Sequence, residues 1–284
     1  MINYYLEYKT RKISSINPSA DDIKESEKIL FSIFTRYGDT IIAFQVIKEF
    51  IDNYPQKEYL ILCPEQMQPY LREILPSIEC ITLNKRNFIQ LIKVVKILKS
   101  RMFDIGFNPW SNGLDSCFLI SFCNKFLFYK DFDKPEAINH YQVVRRYLKL
   151  AEKKWVIKKC SLDANYKRIL ICPQSTNADR SLSSQQLDSL IKEFNKMYNS
   201  PKIIIASMNK SYFRSHCDNF LFKKSAHSSK KFLNIVKQCS LIASSDSGPL
   251  HIALALKKDT IAIFNSTSPE LVVNSGSSLI LDYS

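Results

Sequence analysis

The residues best suited to chemistry form one run, Ser244-Ser245-Asp246-Ser247-Gly248-Pro249-Leu250-His251. An apolar stretch ends there in hydroxyls and a carboxylate, and Gly248-Pro249 opens an Ile-Ala-Leu-Ala-Leu helix. Glycine permits a tight approach, and proline fits the first helical turn because no intrahelical amide bond is lost. A helix starting at the carboxyl edge of a parallel sheet turns free amides and the positive end of its dipole toward a phosphate or diphosphate. The Ser247 hydroxyl can add a donor. Asp246 suits another part of a ligand, since a carboxylate accepts hydrogen bonds from sugar hydroxyls and repels phosphate at contact distance. The bare pattern also fits Asp246 or Ser247 as a helix cap and His251 as a satisfied core or capping histidine.

Such a turn needs a sheet to hold it, and the chain alternates strands with helices. Lys28–Thr35 reads as a buried strand, Tyr37-Gly38-Asp39 as a turn and Thr40–Tyr54 as an amphipathic helix. Strands at 59–63, 79–83 and 103–107 alternate with helices at 69–75, 88–99 and 140–150, while Cys117–Phe128 is apolar but ambiguous. The alternation restarts after a lysine-rich stretch at 151–159. Strands are expected at 168–172, 202–206, 240–243 and 260–264, and helices at 183–198, 230–238 and 249–256. This predicts an α/β protein of two Rossmann-like domains, 1–160 and 161–284, facing each other across a central cleft. No internal repeat or low-complexity segment is visible.

Composition narrows the function. The 284 residues are 45% hydrophobic and 24% charged, which excludes a disordered chain. A formal net charge of +13 points to anionic partners. The eight cysteines include no C-x-x-C pair and mostly sit in apolar runs, as reduced thiols of a cytoplasmic protein would. Met1–Lys12 has no apolar signal core, and the longest apolar run, Cys117–Cys123, falls far short of the roughly 18 residues that span a bilayer. No acidic pair has the spacing of a divalent-ion site, and no metal or cofactor is expected. Phe and Tyr mostly hold apolar-periodic positions and no nucleic-acid-binding signature stands out, so nucleic acid is not an expected partner.

The run Asp246–His251, with its following helix, strand and Ser266-Thr267-Ser268-Pro269 loop, resembles the signature of the lipopolysaccharide heptosyltransferase family, glycosyltransferase family 9. The resemblance extends over most of 28–269. It implies the GT-B architecture and an inverting, metal-independent transfer of a sugar, with ADP-heptose the expected donor of a heptose, onto a lipopolysaccharide core or related saccharide. It implies that Asp246, Ser247, Gly248 and His251 bind the nucleotide-sugar, as do Ser175 and Thr176 in the loop after Ile169–Pro173. It also implies that Arg180, where the family commonly has lysine, offsets charge growing on the departing nucleotide; a guanidinium is a permanent cation that can grip two phosphate oxygens. Gly38-Asp39 falls where the family has a Gly-Asp pair, making Asp39 the candidate general base; without the resemblance, Asp39 reads as a helix cap.

The chain departs from the family pattern in carrying Asn265 for a common glycine, Asn177-Ala178 in the phosphate loop, and only 15 residues after Pro269, a shortened C-terminal segment. That last feature motivates a second reading, a catalytically inactive homologue that binds nucleotide-sugar. The expected partners are the nucleotide-sugar donor and an anionic lipid-linked saccharide acceptor, with peripheral contact on the inner face of the cytoplasmic membrane. Lys93, Lys96 and Lys99, with Lys85 and Arg86, are expected near the acceptor or membrane, or else form a merely solvated helix face. Acceptor specificity is expected in the loops 107–114 and 130–138.

Overall fold

A computed structural model describes residues 14–84, 87–133, 138–151, 166–273 and, as backbone only, 278–282. The chain divides into two compact units, Met1–Glu152 and Lys153–Ser284. The expected boundary near Cys160, the lysine-rich stretch before it, Lys85 and Arg86 lie outside the described residues.

The first unit holds a five-stranded parallel sheet of β1 (Lys28–Ser32), β2 (Glu58–Cys63), β3 (Glu79–Thr82), β4 (Ile105–Phe107) and β5 (Lys125–Leu127). Their order is β3-β2-β1-β4-β5. Side chains alternate across it. Leu30, Leu60 and Leu62 join Leu91, Val94 and Leu98 of the Phe88–Arg101 helix in one core cluster. On alternate positions, the Phe31 ring meets those of Phe50, Tyr59 and Phe107 at 5.7–6.3 Å. Phe50 belongs to the Tyr37–Asn53 helix, which packs against the His140–Tyr147 helix. Buried Arg145 reaches Glu49 between these two helices.

The second unit holds β6 (Arg168–Cys172), β7 (Lys202–Ser207), β8 (Asp218–Leu221), β9 (Leu241–Ser245), β10 (Asp259–Phe264) and β11 (Ser278–Asp282). All pairings are parallel, in the order β11-β10-β9-β6-β7-β8. Ile169, Ile171, Ile203, Ile205, Leu241 and Ile261 pack with Leu187, Ile191 and Phe194 of the Ser184–Met197 helix. That helix begins with a capping box between Ser183 and Gln186. A second cluster centres on Leu250, Leu254 and Phe264.

Several elements differ from expectation. Tyr37-Gly38-Asp39 is the first turn of a helix rather than a separate turn. The ambiguous run 117–128 divides into a helix, Leu114–Ile120, and the short strand β5. Ala20–Glu25 is a short capped helix, and β8 and β11 extend the second sheet. The seven described cysteines are free thiols.

Candidate functional site

In both sheets the strand order reverses beside the first strand of the unit, between β1 and β4 and between β6 and β9. Loops leaving neighbouring carboxyl ends diverge there, opening the crevice in which α/β sheets bind ligands. In the second unit, Cys172 is paired with Ser244, so the Pro173 loop and the Asp246 turn emerge side by side.

β9 ends at Ser245, and the Gly248–Ala255 helix follows with Ser247 at its N-cap. Ser247 is extended (φ −160°), and its hydroxyl makes no capping hydrogen bond. It turns back to the Ser245 carbonyl at 3.1 Å. The helix start is therefore not satisfied by a serine cap, and the simple cap reading of Ser247 fails. His251 lies buried in the first turn.

Asp246 is 4% exposed, and its Oδ2 lies 3.1 Å from Arg180 Nη1. That contact is an ion pair without good hydrogen-bond geometry, leaving Oδ2 a buried acceptor with no hydrogen bond. Burying a carboxylate so completely is costly unless a cation offsets it. Arg180 is that cation, with a side chain 41% exposed and donors left for another anion.

The loop carrying Arg180 is closed on itself. Ser175 N donates to Ser181 Oγ at 3.0 Å, Leu182 N to the Pro173 carbonyl at 2.8 Å, and Asp179 N to Asn177 Oδ1 at 3.2 Å. Ser175 is buried and Thr176 exposed. Asn265, at the position of a common glycine, donates from Nδ2 to the Ser181 carbonyl at 2.9 Å and lies 3.4 Å from Gln186 Nε2 through Oδ1. Asn265 thus ties the loop after β10 to the loop after β6. The structure brings Ser175, Arg180, Asp246 and Ser247 to one sheet edge within the second unit.

Asp39 belongs to the first unit, at the third position of the Tyr37–Asn53 helix. Arg36 holds the N-cap, so Asp39 is not the cap. The helix dipole favours a carboxylate there. Half-buried Asp39 accepts from Thr35 Oγ1 at 3.4 Å; burial, and after it the nearby Asp39 charge, raises the Tyr129 phenol above its usual pKa.

Beyond β4, Trp110 takes a left-handed backbone (φ 58°), uncommon for a bulky residue. Its ring lies 5.2 Å from that of Tyr129 and 5.0 Å from that of His140. The turn is held by Asn108, whose Nδ2 donates to the Ser111 carbonyl at 2.7 Å and whose Oδ1 accepts from Tyr129 N at 2.8 Å. Phe34 N donates to Ser111 Oγ at 2.8 Å, joining this turn to the exit of β1. Trp110 and Tyr129 escaped residue-by-residue reading because an Asn-Pro-Trp-Ser turn carries no signal of its partners. Among the described residues, no three His, Cys, Asp or Glu side chains group as a metal site.

Two parallel Rossmann-type units, with candidate donor groups at the switch point of the second, define the GT-B class of architecture. The resemblance to the heptosyltransferases is borne out: residues 228–278 match the model of glycosyltransferase family 9 (heptosyltransferase). That span holds the whole Asp246–His251 turn. No curated protein matches the chain in sequence. Among solved structures, the fold is similar to a family 9 glycosyltransferase from Veillonella parvula (TM-score 0.68, 13% identity, 90% of this chain and 86% of that one). It is similar to E. coli ADP-heptose lps heptosyltransferase II (TM-score 0.68, 17% identity, 89% and 90%). It is also similar to E. coli heptosyltransferase WaaC, solved with ADP (TM-score 0.63, 10% identity, 90% and 93%).

Proposed function

We propose that this protein is an inverting glycosyltransferase that moves a heptose from ADP-heptose onto a lipopolysaccharide core or related lipid-linked saccharide, at the inner face of the cytoplasmic membrane. The observation that carries the reading is the meeting of Arg180, Ser175, Asp246 and the uncapped helix start at the switch point of the second sheet. The ADP and ADP-2-deoxy-2-fluoro heptose in WaaC structures of similar fold suggest the donor.

In this reaction Asp39 takes the proton of an acceptor hydroxyl while its oxygen attacks the anomeric carbon from the face opposite the diphosphate. The bond between that carbon and the phosphate oxygen breaks, and the nucleoside diphosphate leaves with the electron pair. Helix amides, the Ser247, Ser175 and Thr176 hydroxyls and Arg180 stabilise the leaving charge without calling on a metal. Asp246 and His251 hold the donor sugar. The surplus of cations suits an anionic acceptor.

The test is transfer by purified protein, wild type against Asp39→Ala. Loss of a general base lowers turnover by roughly 10²–10⁴. Equal turnover removes Asp39 from the mechanism, and donor binding without transfer in the wild type favours the binding-protein reading.

A further inference from the structure

The Phe88–Arg101 helix buries Leu91, Val94 and Leu98 against the first sheet. Its opposite face is unusual. Phe88 is 50% exposed, Ile89 67% and Ile92 40%, all within the first five positions. The other large apolar residues exposed in the described chain, Ile16, Met102, Met197 and Met208, lie apart in sequence. Isolated exposed apolar residues are ordinary, whereas a group on one helix turn marks a contact surface.

At about 100° per residue, Lys96 and Lys99 fall within the same arc as Phe88, Ile89 and Ile92, and Lys93 at its border. All three lysines are exposed, and no acidic residue occurs between Asn87 and Phe103. Among the described residues, Lys93 and Lys96 form no ion pair; Lys99 lies over the Phe122 ring at 5.7 Å. Lysines left unneutralised around bulky apolar tips fit a surface that is anionic outside and hydrocarbon beneath. A protein partner fits less well, since three side chains supply much less than the roughly 800 Å² per partner of a stable interface. The first turn of this helix follows β3, so it lies at the carboxyl edge of the sheet, the edge that also carries Asp39.

We infer that this face docks the protein on an anionic lipid bilayer, with Phe88, Ile89 and Ile92 inserted among the lipids and Lys93, Lys96 and Lys99 against the headgroups. The inference rests on the proposed function and deepens it by placing the lipid surface on the unit that carries Asp39.

The test is co-sedimentation of the full chain with vesicles of phosphatidylcholine alone, and with phosphatidylglycerol at about a third of the lipid. Wild type binds the anionic vesicles, and added salt weakens binding. Phe88→Ser with Ile89→Ser lowers partitioning roughly tenfold or more. Lys93→Glu with Lys96→Glu lowers it by roughly fivefold or more for each lysine lost. These positions are exposed, and unchanged thermal melting verifies that the variants fold. Absence of binding, or binding indifferent to both pairs of substitutions, overturns the inference. So does self-association abolished by the serine variant without vesicle binding, which assigns the patch to a second copy. The vesicles carry neither donor nor saccharide, so failure here leaves the transfer reaction standing, and failure of transfer leaves vesicle binding standing.

Discussion

Arg180 has a duty that precedes any substrate: it neutralises a carboxylate almost wholly removed from water, 3.1 Å from its guanidinium. Arg180→Ala strands that charge and lowers stability by about 1–2 kcal/mol, less than a fully buried pair because the arginine is partly solvated. Adding Asp246→Asn recovers most of the loss, and urea denaturation of the single and double variants measures it. The candidate residues of the second unit were legible because glycine, proline and hydroxyls occur together in one short run. Trp110 was not legible: its left-handed turn is imposed by Asn108 and Ser111, and by Tyr129 nineteen positions on. Asn265 could be seen as a departure, but its bond to the Ser181 carbonyl crosses 84 positions.

Elements with strong apolar patterning and clear punctuation, such as β6 and the Ser184–Met197 helix, follow from local sequence. The elements that escaped are short. β8 has four residues with half its positions exposed, and β5 has three and shares an apolar run with the preceding helix. That run is divided by close packing. A methyl group added at Gly106 in β4 would stand 2.8 Å from Cys123 Sγ and from Ile120 Cβ. Gly106→Ala therefore costs about 1–3 kcal/mol, read as a lower denaturation midpoint. The Ala20–Glu25 helix is held to β5 by Lys125 and Asp22, whose carboxyl that hydrogen bond, with bonds to Ser19, lowers to about 2. A depressed carboxylate contributes stability above its unfolded pKa, and the contribution disappears as pH falls toward the folded value. Asp22→Asn should thus flatten the fall in stability between about pH 4 and pH 2, measured by denaturant titration across that range.

At the scale of the molecule, each unit presents its candidate residues at the switch point of its own sheet: Asp39 after β1, and Arg180 with Asp246 after β6 and β9. No helix among the described residues is long and apolar enough to cross a membrane. The proposed function assigns donor binding to the second unit and proton abstraction to the first, so the two should separate by mutation. Calorimetric titration of the whole chain with ADP-heptose tests this most directly, using wild type, Arg180→Ala and Asp39→Asn. The account predicts saturable binding by wild type, binding weakened at least roughly tenfold by Arg180→Ala through loss of a charge-assisted contact, and binding unchanged by Asp39→Asn. No saturable heat in the wild type, or affinity indifferent to Arg180→Ala, would contradict it.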